Sequence, residues 1–214
     1  MLITFIGPDG AGKSTQTKIA HQWLLENGFD VVILDKWAIL DINLHPECRF
    51  INSSLEDIRV CIAEMENESR ALFLFWSIFQ VMNKYKNINL SKTIYISDGY
   101  WIKHAASEII YGNNPEWINN ITKVFPKSDL TFYFNIDPEI TSLRKKTFTP
   151  YECGRFNSTN IDNFVIHQKK LKKILDEWTN KESWININAN QPQNDISSYI
   201  LEKLSEVIKN EKNI

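Results

Sequence analysis

The sequence predicts an α/β fold, a mainly parallel sheet of five strands with helices on both faces, in one domain over residues 1–214. Three observations carry this. Short apolar, β-branched runs recur at Leu2–Ile6, Val31–Leu34, Thr93–Ser97, Leu130–Ile136 and Ser183–Ile187. Longer segments of helical spacing separate them, the alternation expected of crossover units. Each run is nearly continuously apolar, as strands covered on both faces are. No Pro/Gly/Ser-rich linker, composition shift or internal repeat divides the chain.

The first strand leads into Gly7-Pro8-Asp9-Gly10-Ala11-Gly12-Lys13-Ser14-Thr15, followed by a helix over Gln16 to Glu26. Glycine, four residues, then Gly-Lys-Ser between a strand and a helix is the pattern of a phosphate-binding loop. Glycines let successive N–H groups turn inward, and the helix N-terminus adds partial positive charge. The nine residues Gly7 to Thr15 are therefore predicted to hold a nucleoside triphosphate. Lys13 would reach its β- and γ-phosphates, and the Ser14 hydroxyl would hold Mg²⁺.

Further along, Ser53 and Glu56 have capping-box spacing and start a helical region over Leu55–Tyr85, with a polar interruption from Glu64 to Ser69 where two helices would part. Asp98 ends the third strand and should share the loop's sheet edge, where ligands of parallel sheets sit. Its carboxylate can organise Mg²⁺, accept a proton from an attacking hydroxyl, or cap a helix over Trp101–Gly112. Asp137-Pro138 places a capping carboxylate before a helix running to about Lys146. The stretch from Lys146 to Asn160 has no clean period and reads as a lid over 147–159 or an ordinary surface loop. Asn160–Asn180 is amphipathic, with Lys169-Lys170 and Lys172-Lys173 on a solvated face, and Asn194–Lys209 buries Ile196, Ile200, Leu204 and Ile208.

Asp9 puts a negative charge beside a triphosphate, which is unfavourable unless something offsets it. A hydroxyl of a second substrate would do so; the alternative is a turn-forming aspartate. Phosphoryl transfer needs cations around the moving group. Arg144 and Arg155 are the leading candidates, ahead of Lys145 and Lys146, which suit a helix C-terminus. Phe73, Phe75, Trp76, Trp37, Tyr100 and Trp101 would either stack a planar ring or fill the core.

Composition sets outer bounds. A net charge of −2 over 214 residues argues against a general nucleic-acid binder. Cys48, Cys61 and Cys153 lack disulfide or metal spacing and read as reduced thiols of a cytoplasmic protein. The five-residue apolar start reads as a strand rather than a signal peptide, and no apolar stretch approaches the roughly 20 residues of a membrane span, so no membrane partner is expected.

In this order the features resemble the thymidylate kinase family of nucleoside monophosphate kinases. The likeness is carried by Phe5 to Gln16, by the apolar-aromatic stretch Leu72 to Gln80, by Asp98-Gly99-Tyr100, by Tyr133 to Glu139 followed by Leu143-Arg144-Lys145-Lys146, and by Ile187 to Pro192. The resemblance implies a P-loop NTPase fold, a five-stranded parallel sheet with a lid, and transfer of the γ-phosphoryl group of MgATP, with Lys13, Asp98, Arg144 and Arg155 catalytic. It implies Ser14 and Asp98 at the metal, Gln191 and Pro192 beside the adenine, and Asp9 on the acceptor's sugar hydroxyl. Asp9, Trp37, Arg70, Phe75 and Tyr100 are the candidate acceptor contacts. Dimerisation through helices is also implied. This chain departs at Gly99, where the family has arginine, at Ile78, and at Leu34–Ala38 after strand two. Lys36, Arg49, Arg59, Arg70 and Lys103 are the cations that could replace the missing ones. The acceptor is thus read as dTMP or a related nucleotide. The alternatives are an unphosphorylated nucleoside or small hydroxylated metabolite, or a nucleotide-binding regulatory protein without turnover. Against a GTPase switch, Asn83-Lys84-Tyr85 is followed by Lys86, so no guanine-reading Asn-Lys-x-Asp occurs there.

Overall fold

A computed structural model describes residues 1–85, 93–155 and 159–212. Strands β1 (Leu2–Ile6), β2 (Asp30–Leu34), β3 (Thr93–Asp98), β4 (Leu130–Asn135) and β5 (Ile185–Asn188) are all parallel, in the order β2-β3-β1-β4-β5. The five predicted strands are all present; β1 has the predicted bounds, and the other strand ends move by no more than two residues. Parallel pairing sends every strand's C-terminal end to one edge, and the register Phe5↔Asp98 sets the end of β3 beside the loop after β1.

Among the described residues eight α-helices connect or follow the strands: α1 (Lys13–Glu26), α2 (Leu55–Glu64), α3 (Asn67–Tyr85), α4 (Tyr100–Ile110), α5 (Pro115–Thr122), α6 (Pro138–Arg144), α7 (Ile161–Thr179) and α8 (Gln193–Lys212). Strand side chains alternate between two cores. Ile3, Phe5, Ile96, Phe132 and Phe134 pack with Leu24 of α1 and with Ile200 and Leu204 of α8. Ile6, Leu34, Tyr95 and Tyr133 pack on the other face with Phe75 and Ile78 of α3, Ile102 of α4 and Leu171 of α7. Burial of that apolar surface on both faces drives the fold.

Local chemistry explains the departures from the sequence reading. The cap of α2 is Ser54 rather than Ser53: its Oγ accepts the Asp57 N–H at 3.1 Å. α2 and α3 part at Met65-Glu66, inside the polar interruption, and Asn67 turns the chain with φ 43°. Asp98 does not cap α4, because Gly99, at φ 86°, takes the N-cap position. Asp137 precedes α6 but its side chain makes no capping bond, and the helix stops at Arg144. α5 was not anticipated; Asn114 caps it by accepting from the Glu116 and Trp117 N–H groups, with Pro115 at its first position. Residues 156–158 of the predicted lid lie outside the described residues, while 145–155 form irregular turns. Among the described residues no helix is long and apolar enough to cross a membrane, and the three cysteines are free thiols.

Candidate active site

The loop from Gly7 to Gly12 curls tightly because its glycines can adopt backbone angles that other residues resist. Gly7 has φ +146°, and a Cβ there would lie 2.7 Å from the Phe134 carbonyl oxygen. Gly10, at φ +82°, would meet the Thr141 carbonyl at 3.0 Å. The loop is therefore pressed against β4 and α6, where no side chain fits. Lys13 is buried at the start of α1 and its Nζ donates to the Pro8 carbonyl at 2.8 Å. Burial pulls its pKa down, against the pull of Asp98 and Asp9.

Ser14, one residue on, donates its hydroxyl to the Asp98 carboxylate. This contact joins the first turn of α1 to the end of β3, and the Gly99 N–H donating to the Phe5 carbonyl at 2.8 Å fixes that juncture. Both side chains are hard oxygen donors reachable from solvent, a set suited to a small divalent cation that retains most of its water.

Asp9 faces the other way. Its carboxylate pairs with the Lys103 ammonium and accepts from Gln168 Nε2 at 3.3 Å, while its backbone N–H donates to Gln168 Oε1 at 3.0 Å. Burial would raise this carboxyl, but Lys103 and Lys13 hold it far below the usual carboxylate range. Burial likewise works against the Lys103 ammonium, and Asp9 outweighs it, so Lys103 titrates above its ordinary value.

Arg144 leaves the end of α6 and donates to the Ala189 carbonyl at 3.1 Å, bringing it to the turn that carries Gln191 and Pro192. Arg155 is elsewhere. Its Nε donates to the Ala63 carbonyl at 2.7 Å near the end of α2, and its backbone sits at φ 60°. The two arginines thus do not converge in this structure.

The candidate acceptor contacts divide sharply. Arg70 is fully buried; Nε and Nη2 grip Glu108 at 2.9 and 3.0 Å, Nη1 donates to the Met65 carbonyl, and the guanidinium lies 4.4 Å from the Tyr111 ring centre. With its fork spent on protein groups, it offers nothing to an acceptor. Phe75 packs edge-on to Phe125 inside the core and presents no face for stacking. Tyr100 is also buried, its hydroxyl donating to the Pro126 carbonyl at 2.9 Å. Trp37 is half-buried in a 3-10 turn over Lys36–Leu40, where the Lys36 ammonium lies 4.7 Å from its ring centre. Between the ends of β2 and β3 and helices α3 and α4 lies a cavity of about 30 Å³, lined by Asp35, Lys36, Ile78, Asp98, Tyr100 and His104 among others.

Sequence reasoning named Lys103 only as one of five spare cations; its place on the first turn of α4, five residues after Asp98, was the available signal. Gln168, Glu108 and Tyr151 carried no local signal at all. Tyr151 donates to Glu108 at 3.1 Å and its carbonyl accepts from the Tyr111 hydroxyl, so the irregular segment is tied to the Arg70–Glu108 pair.

No family model matches the chain. Relatives resemble it along nearly its whole length. It is 27% identical to the probable thymidylate kinase 2 of Saccharolobus solfataricus, covering 98% of each chain. With the probable thymidylate kinase of Methanosphaera stadtmanae it shares 30% identity, over 82% of this chain and 87% of the relative. With the thymidylate kinase of Plasmodium falciparum it shares 25%, over 96% and 90%.

Proposed function

The chain belongs to the thymidylate kinase family, and from that membership we propose that it transfers the γ-phosphoryl group of ATP to dTMP or a closely related nucleotide. The observation that carries the reading is the meeting of Lys13, Ser14 and Asp98 at one sheet edge, where Asp98 also lines the cavity between β2, β3, α3 and α4. The loop amides and Lys13 would grip the triphosphate tail, with Arg144 and the Gln191-Pro192 turn beside the adenine. Ser14 and Asp98 would hold Mg²⁺, which neutralises charge on the β- and γ-phosphate oxygens when bound. An acceptor phosphate is already an anionic nucleophile, so Asp98 has no need to serve as a base. Residues 147–159 would act as the lid that brings Arg155 inward, and a homodimer packed through helices is the proposed assembly.

The test is ADP release and product identification with MgATP and a panel of dTMP, dUMP, dCMP, dAMP, dGMP and thymidine. dTDP as the preferred product supports the reading. Phosphorylation of thymidine in preference to every monophosphate, or no acceptor-dependent turnover, overturns it.

A further inference from the structure

We propose that Lys36 and Lys103 hold the phosphate group carried by the acceptor, with Lys103 leaving Asp9 to do so. The proposal rests on the phosphotransferase reading above and assigns its acceptor subsite. The cations that could fill that role are few. Gly99 and Ile78 bring no charge, and Arg70 is sealed in its pair with Glu108. Arg49 is exposed and donates to the Pro46 carbonyl on its own turn, and Arg59 is exposed on α2. Lys36 and Lys103 remain, one at the exit of β2 and one on the first turn of α4, flanking the end of β3.

Lys36 is half-buried in the wall of the cavity that also exposes Asp98 and His104, and its ammonium rests over the Trp37 ring without a hydrogen bond or ion pair among the described residues. A desolvated ammonium without a partner is costly, and an incoming anion removes that cost. On the same wall His104 is 6% exposed, and its Nδ1 is buried with no hydrogen-bond partner. Lys103 already sits against Asp9, with both side chains mostly buried. A phosphate between the two ammonium groups would quench their mutual repulsion and free Asp9 for a hydroxyl of the same acceptor. It would also lie beside Asp98, and hence beside Ser14 and Lys13. A nucleoside lacking the phosphate leaves Lys36 unpaired.

The experiment measures KM and kcat for dTMP, KM for ATP, and inhibition by thymidine in Lys36→Met, Lys36→Arg and Lys103→Met. Each Met variant is expected to raise KM for dTMP by about ten- to a hundred-fold, the loss of one charge-assisted bond. In the two Lys36 variants KM for ATP and the inhibition constant for thymidine should move less than roughly two-fold, since neither contact involves that phosphate. Lys36→Arg should recover most of the dTMP affinity. Should Lys103→Met fail to fold, the Lys36 pair of variants decides alone. An unmoved KM for dTMP, or equal losses for dTMP and thymidine, overturns the lysine site. A wild-type enzyme that phosphorylates no monophosphate overturns the phosphotransferase reading instead, so the two failures are separable.

Discussion

Lys13 donates to a carbonyl of its own loop and has no alternative role in the core, so its loss should fall on chemistry rather than on folding. Lys13→Met is expected to lower kcat by at least about a hundred-fold, as removal of a preorganised transition-state cation does, while leaving the urea midpoint nearly unchanged. Lys36 adds a pH signature. Burial, and next the Lys103 ammonium, push its pKa down to about 8, against Asp35, Asp98 and Asp9; His104 also faces it. Its charge is therefore present below pH 8 and lost above it. If it meets the acceptor phosphate, kcat/KM for dTMP should fall as pH rises through 8, by roughly ten-fold per further pH unit. That limb should vanish in Lys36→Arg. His167 acts on stability instead. Burial, reinforced by Lys103 and Lys170 and opposed by Asp9, brings it from 6.5 to about 4. Its folded value lies below its unfolded one, so the contribution is fully present above pH 6.5 and is lost as pH falls toward 4, about 3 kcal/mol in all. Urea melts across that range should show the loss, and His167→Gln should flatten it.

Between elements, the Arg70–Glu108 pair bolts α3 to α4 and is the most deeply buried ion pair among the described residues. Glu108→Ala strands a buried guanidinium and should cost about 3–5 kcal/mol, whereas replacing both partners with apolar residues should recover most of it. Denaturant unfolding of the single and double variants distinguishes these. The same pair marks the limit of sequence reading. The tight glycine loop was legible because its whole pattern sits in nine consecutive residues between a strand and a helix. The end of β3 was legible because a parallel sheet gathers its C-terminal ends, which placed Asp98 without any contact being known. Arg70 was misjudged because its partner is 38 residues away and nothing local announces it. Asp9 is 159 residues from Gln168 and 94 from Lys103, so its partners too emerge only on folding. Phe75 and Tyr100 show the same blindness: aromatic spacing along a helix does not reveal which face meets the core.

At the scale of the whole molecule, the proposed site draws on the segments that follow β1, β2, β3 and β5, so a ligand bound there should stabilise the entire domain. MgATP at a hundred times its Kd is expected to add about 2.7 kcal/mol, which for a domain of this size is roughly 5–10 °C in Tm. Thermal unfolding with and without MgATP checks this, and Lys13→Met should abolish most of the shift. The parting of α2 from α3 also reaches beyond its own turn. A helix that ran on unbroken would consume its carbonyls internally, leaving none to lend. By stopping at Glu64 the chain leaves Ala63 and Met65 with open oxygens, and two guanidinium groups hang from them, Arg155 on the first and Arg70 on the second. Splicing the two helices into one rod would unhook both at once, loosening the segment around Tyr151 and the buried ion pair together. The gap is a fastening.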